Sequence, residues 1–220
     1  MGERLSIAVD GPASSGKGTV ARRVARELGY AYVDTGALYR AVGLRVLEEG
    51  GDPRDPVFAE ALARRLRIGF SWVHGELSVA VEGRDVTESI RSEAVSTAAS
   101  AVAVHPGVRA ALLQTQRDLA GAGGVIMDGR DVGTVVLPWA PLKIFLDASP
   151  EERARRRHGE QSGHTYDEVL ASLVERDAQD SGRASAPLRC ASDAVVIDTT
   201  GMTIDAVVAQ ILALARAAGA

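Results

Sequence analysis

Apolar residues follow two alternating rhythms along this chain. Leu5 to Val9 is a largely apolar run of strand length, and the Gly- and Ser-rich stretch Gly11 to Gly18 follows it directly. Val20, Val24, Ala25 and Leu28 then recur at helical spacing until Gly29. Tyr30 to Asp34 reads as a second short strand, and Leu38, Val42, Val46 and Leu47 mark a helix that stops at Gly50-Gly51. Strand, helix, strand, helix is the pattern of a parallel sheet.

The middle of the chain breaks that rhythm. Asp52 to Pro56 is turn-rich, and a short helix follows around Phe58 to Leu66. Ile68 to Val73 and Leu77 to Val81 predict a hairpin about His74-Gly75-Glu76, so an inserted subdomain is expected here. Helical patterns resume over Glu93 to Val104 and Val108 to Ala120, separated by Pro106. Two further apolar runs end in carboxylates, Val125 to Met127 at Asp128 and Lys143 to Leu146 at Asp147.

Ser149, Pro150 and Glu152 predict a helix start with a capping box, and Thr165 with Glu168 predicts a second beyond a loop over Gly159 to Gly163. Ala194 to Ile197 is the last strand, and Thr203 caps a C-terminal helix. Five strands therefore have parallel-sheet character: 5–9, 30–34, 125–128, 142–146 and 194–197. One short echo occurs, since Gly83-Arg84-Asp85-Val86 repeats as Gly129-Arg130-Asp131-Val132. Only the second copy follows a core strand, where α/β proteins place their ligands, so the first is read as a turn.

Composition narrows this picture modestly. A length of 220 residues suits one α/β domain with a small insert, and 46% hydrophobic with 25% charged residues is ordinary for a globular chain. A net charge of −4 gives no global basic field for nucleic acid or an anionic membrane. Of the 25 Lys and Arg residues, all but Lys17 and Lys143 are arginine. Arginine suits phosphate handling, although a biased genome gives the same excess. The absence of asparagine, with a single cysteine, also fits a hot habitat. Cys190 has no intrachain partner, so a reducing cytoplasm is expected. Met1-Gly2-Glu3-Arg4 runs straight into the first strand, too short for a signal peptide or a membrane span.

The strongest chemical signal is Gly11-Pro12-Ala13-Ser14-Ser15-Gly16-Lys17-Gly18-Thr19, a phosphate-binding loop that follows a strand and opens a helix. Its glycines let several N–H groups face one anion, the helix start adds positive potential, and Lys17 can follow charge during transfer. Gly18 stands where the general pattern has Ser or Thr, with Thr19 next, so the usual Mg²⁺-ligating hydroxyl is displaced. Asp128 is the candidate carboxylate near Mg²⁺, acting through water. Asp34-Thr35-Gly36-Ala37-Leu38-Tyr39-Arg40 gathers a hydroxyl, a ring and a guanidinium that could cradle a second, smaller nucleotide.

Taken in order, this loop, the Asp34–Arg40 string, Asp128-Gly-Arg-Asp-Val-Gly-Thr-Val-Val136, Lys143-Ile-Phe-Leu-Asp-Ala-Ser-Pro-Glu-Glu-Arg153, Glu175-Arg-Asp177 and Arg183-Ala-Ser-Ala-Pro-Leu188 resemble the bacterial cytidylate kinases from about residue 5 to 215. The insert between about 65 and 95 also resembles that family's enlarged monophosphate-binding subdomain. The resemblance implies a P-loop NTPase-type α/β core of five parallel strands with helices on both faces. The core would take in about 1–35, 100–150 and 170–220, with a monophosphate-binding insert at about 36–99 and a short lid at about 153–168.

It also implies roles. ATP, with Mg²⁺, would be held on Gly11 to Thr19. CMP or dCMP would meet Thr35 and Tyr39 along its pocket, and Ser100, Arg109 and Asp131 at the cytosine edge. Arg40 and Arg130 would hold its phosphate, and Arg176 and Asp180 its sugar. Arg153, Arg155, Arg156 and Arg157 form a dense run, and Lys17, Arg130, Arg183 and the lid arginines Arg153 and Arg157 would act on the transferring phosphoryl group. The implied reaction is ATP plus CMP to ADP plus CDP, by direct in-line transfer in a cytoplasmic, monomeric enzyme. Two alternatives stay open: another small-molecule P-loop kinase, for uridylate, shikimate or dephospho-coenzyme A, and a nucleotide-binding switch. The cytosine-reading set weighs against the first and the second-site arginines against the second.

Overall fold

The structure is a computed structural model that describes residues 4–73, 76–160 and 163–220. In chain order its elements are β1 (Ser6–Asp10), α1 (Lys17–Leu28), β2 (Ala31–Asp34), α2 (Gly36–Glu48), α3 (Pro56–Arg65), β3 (Ile68–Val73), β4 (Glu76–Val81) and β5 (Arg84–Asp85). A 3-10 turn at Ser89–Arg91 leads to α4 (Glu93–Val102), α5 (Pro106–Ala120) and β6 (Val125–Gly129). A π-helical turn at Val132–Val136 precedes β7 (Leu142–Asp147), α6 (Pro150–Glu160), α7 (Tyr166–Gly182), β8 (Val195–Asp198) and α8 (Ile204–Ala217).

The five strands expected to be parallel form one sheet in the order β2-β6-β1-β7-β8. β1 is its buried centre, with Ile7 and Ala8 wholly covered, because a strand flanked on both sides exposes neither face. The register places Val9 opposite Asp128 and Asp10 opposite Gly129. The loop after β1 and the turn after β6 therefore leave the sheet at the same edge, the carboxyl end, where α/β sheets bind ligands.

Two compact units divide the chain. The first holds the residues up to Tyr30 with Ala122–Ala220, and the second is Ala31–Gly121. The second runs from β2 to the end of α5. Its core joins Leu38 and Val42 of α2 and Leu62 of α3 to Val108 and Leu112 of α5, so α3 and α5 share one apolar cluster. A second cluster packs Ala41 and Leu44 of α2 against Val79 and Val81 of β4. Burial on both sides explains why α2 reads less clearly as amphipathic than α1 does.

Local readings need three corrections. The turn at the first Gly-Arg-Asp-Val copy takes in only its Gly83 and the preceding Glu82, which both have positive φ, and Arg84–Asp85 then pairs with β4 as a third antiparallel strand. Two residues are too short to show a period, so the sequence pattern could not reveal β5. His74 and Gly75 of the expected hairpin turn lie outside the described residues, as do Gln161 and Ser162 of the expected loop, while α6 continues through Gly159 to Glu160. The capping box at Ser149 is half formed. Ser149 Oγ accepts from the Glu152 N–H at 3.2 Å, but the Glu152 carboxylate is taken by Arg155 and Arg156, and the Ser149 N–H goes to Thr200. The Thr165–Glu168 box is complete.

Candidate active site

In the first unit the phosphate loop is built by close approach and strained backbone. A Cβ on Gly11 would stand 2.0 Å from the Leu146 carbonyl of β7, so only glycine lets the chain leave β1 there. Ser14 takes a positive φ of 59°, and Gly16 precedes α1 in the left-handed region. No side chain caps α1 and no acid sits in its first turn, which leaves its N-terminal amides to an anion. The Ser15 hydroxyl is buried with no hydrogen-bond partner, a polar atom that suits a bound phosphate or hydrated cation.

Lys17 is buried, and its ammonium donates to the Pro12 carbonyl at 2.8 Å. Burial, and then the positive charges of Arg130 and Arg176, pull its pKa down to about 7, while Asp128 and Asp180 work the other way. Residues from α1, β6 and α7 thus converge on one cation that lacks a full counter-charge. Arg130 donates to Asp180 at 2.8 Å, and Arg183 lies 3.5 Å from the same carboxylate. Burial alone would raise the Asp180 carboxyl, but Arg130 and Arg183 outweigh it and hold it below the ordinary range. Asp180, expected to meet a sugar, thereby also orients the two arginines expected on phosphate.

The arginine run at 153–157 is less uniform than the sequence suggests. Arg153 is buried in the first turn of α6, donating to the Ala148 carbonyl, to the Ala13 carbonyl of the phosphate loop and to Asp177. Arg156 donates to the Thr199 carbonyl at 2.7 Å and to the Ser15 carbonyl at 3.5 Å. Arg155 pairs with Glu152 on the surface, and Arg157 is half-buried near the end of α6. Asp128 is buried in β6 and Asp131 just beyond it. Among the described residues no cluster of three or more His, Cys, Asp or Glu side chains could hold a metal by itself.

In the second unit Thr35 and Tyr39 are buried at the start of α2. Arg109 of α5 stacks its guanidinium 5.3 Å from the Tyr39 ring centre and donates to the Ala103 carbonyl, so two of the expected base-pocket residues meet. Ser100 is half-buried on α4. Arg40 pairs with Asp34, while its Nε has no hydrogen-bond partner. Sequence reasoning gave no role to Asp10, Asp177 or Thr199 and did not set Arg156 apart within the arginine run. Asp10 carried the same signal as Asp128, an acid closing an apolar strand, whereas Thr199 carried none.

Comparisons with known proteins bear on the family and the fold. The family model of the cytidylate kinases matches residues 7–217. A cytidylate kinase of Geobacillus kaustophilus is 51% identical over 96% of this chain and 96% of its own. One of Caulobacter sp. strain K31 is 52% identical over 90% of this chain and 88% of its own. Among solved structures, a gluconokinase from Sinorhizobium meliloti (TM-score 0.51, 18% identity, covering 99% of this chain and 95% of that one) shares the fold. So does a shikimate kinase from Bacteroides thetaiotaomicron (TM-score 0.50, 13% identity, covering 96% and 98%).

Proposed function

The chain belongs to the cytidylate kinase family, and from that premise we propose that it transfers the γ-phosphate of ATP to CMP and dCMP, giving ADP with CDP or dCDP. The observation that carries this reading is Lys17, a lysine buried in a phosphate-loop motif whose charge is disfavoured by burial and by Arg130 and Arg176. A polyanion beside such a group would restore its charge.

An oxygen of the CMP phosphate attacks the γ-phosphorus, and the bond to the β-bridging oxygen breaks with its electron pair left on ADP. The loop amides of Gly11 to Thr19 cradle the donor phosphates, and Lys17 moves with the transferring charge. Asp128 would hold Mg²⁺ through water beside the donor phosphates, and the ion would supply neutralising charge there. Arg130 and Arg183 stabilise the transferring group, and Asp180 fixes both guanidinium groups. Arg40, with Arg130, takes the acceptor phosphate, Thr35 and Tyr39 line the acceptor, and Ser100, Arg109 and Asp131 read the cytosine edge. Asp131 accepts from the exocyclic amine. Arg176 and the remaining lone pairs of Asp180 face the sugar.

Arg157 is the lid arginine of this scheme, and Arg153 supports the loop from behind. A phosphate acceptor is already anionic, so no protein base is required. A single chain working in the cytoplasm completes the reading. No described helix is long and apolar enough to cross a membrane.

The test is ADP release with Mg²⁺–ATP and CMP, dCMP, UMP, AMP or GMP. Turnover confined to CMP and dCMP is expected. Turnover with another monophosphate would keep the kinase and overturn the base-reading residues, and none with any acceptor would favour the switch.

A further inference from the structure

Asp10 closes β1, and its carboxylate is enclosed at 5% exposure. One oxygen accepts from the Val132 N–H at 2.8 Å and the other from the Gly133 N–H at 2.7 Å. These are the two amides immediately after Asp131. The backbone there is unusual. Asp131 has φ −143° and ψ 23°, and its carbonyl accepts from Val135 and Val136 to open the π-helical turn.

The Arg130–Asp131 segment is therefore held from both ends. Asp180 grips the Arg130 guanidinium, and Asp10 holds the amides that follow Asp131. Gly133 keeps the geometry open. A Cβ there would stand 3.3 Å from Asp10 Oδ2 and 3.2 Å from the Lys143 side chain.

The choice of residue is informative. Burial raises the Asp10 carboxyl to about 6 and nearby Asp131 adds to the rise, while the two amide bonds and Lys17 oppose it. A carboxylate is thus retained beside a second carboxylate, against its own solvation. Only an ionised carboxylate offers one acceptor to each of two adjacent N–H groups, whereas an asparagine would turn its NH₂ toward one of them.

We propose that Asp10 is a positioning residue for the acceptor nucleotide, its two-point clamp on Val132 and Gly133 setting the backbone that presents Arg130 and Asp131. The inference rests on the assignment of Arg130 and Asp131 to that nucleotide. The two hydrogen bonds of Asp10 go to the segment after Asp131 and not to the phosphate loop, although Gly11 is the next residue and Lys17 feels its charge, so the clamp predicts a selective effect on the acceptor.

The test is steady-state kinetics of Asp10→Asn with CMP and ATP varied in turn, alongside wild type. Loss of a charge-assisted bond predicts that KM for CMP rises roughly tenfold or more, while KM for ATP stays within about twofold. Gly133→Ala, which pushes on Oδ2 and leaves the charge in place, should give a smaller rise of the same selectivity and serves if Asp10→Asn does not fold. Equal rises for both substrates in either folded variant would make Asp10 a phosphate-loop support and overturn the clamp. Unchanged KM for CMP in both would overturn it as well. Wild-type protein inactive with CMP would instead sink the substrate assignment, an outcome visible in the same plates.

Discussion

Arg153 and Asp177 form an ion pair at 2.6 Å that joins α6 to α7, and the same guanidinium nitrogen lies 3.2 Å from the Ala13 carbonyl of the phosphate loop. With Arg153 at 4% side-chain exposure and its donors turned inward, its part is support for the loop. Arg153→Ala should lower stability by about 2–3 kcal/mol, somewhat below the cost of breaking a fully buried pair because Asp177 keeps some solvent. Urea unfolding and kcat, measured together, check this. A fall in kcat at an unchanged urea midpoint would assign the guanidinium to the transferring phosphate instead.

Lys17 predicts the opposite balance between activity and stability. Lys17→Ala should reduce kcat by roughly 10²–10³-fold or more, the scale of losing one group aimed at developing charge. Because burial and two arginines disfavour the Lys17 cation, its removal should leave the urea midpoint at pH 7 unchanged or raised. An active variant would remove Lys17 from the mechanism.

The depressed Lys17 pKa also predicts proton uptake. At pH 8 a group titrating at about 7 is mostly neutral in the free protein. Bound triphosphate restores its charge, so ATP binding should draw a proton from solution, and the observed calorimetric heat should vary with the ionisation enthalpy of the buffer. Lys17→Ala should abolish that dependence. The same shift has a stability sign. The unfolded chain keeps this proton up to 10.5 and the folded chain loses it near 7, so the Lys17 contribution to stability rises between those values and is lowest below pH 7. A buffer-independent binding heat at pH 8 would mean that Lys17 is already charged.

Much of this was legible in the sequence because the signals were local. All five parallel strands, the left-handed stop of α1 at Gly29 and the Thr165 capping box follow from periodicity and cap chemistry within a few residues. The phosphate loop was legible because its glycines answer a local steric demand, as at Gly11 against Leu146. What escaped depends on distant partners. Asp10 acquires its meaning only when β6 lies beside β1 and carries Val132 and Gly133 to it. Arg153 looks like its neighbours in the arginine run until α7 brings Asp177 to it. The half-formed box at Ser149 failed for both kinds of reason, since Glu152 pairs with Arg155 and Arg156 one turn on and the Ser149 N–H goes to distant Thr200.

The echo motif offers a control within the same molecule. Arg84 is 59% exposed and pairs with Glu48 at the surface of the second unit, whereas Arg130 is largely buried against Asp180. Exposed pairs contribute little, so Arg84→Ala should change stability by no more than about 0.5 kcal/mol. It should also leave kcat/KM for CMP near wild type. A large loss would place the first Gly-Arg-Asp-Val copy in the mechanism.

Asp131 separates base reading from phosphate handling. Its buried carboxylate follows Arg130 and lies close enough to Asp10 to raise that group's pKa. If it accepts from the cytosine amine, Asp131→Ala should raise KM for CMP by roughly 10–100-fold, the scale of one hydrogen bond to a charged group. KM for ATP should stay within about twofold, and equal losses for both substrates would remove Asp131 from base recognition. Combining the change with Asp10→Asn sharpens the point. If Asp10 acts through the segment that carries Asp131, the double variant should lose less than the product of the two single losses, because part of what the clamp holds in place has already gone. Fully multiplicative losses would mean that the two carboxylates serve the acceptor independently.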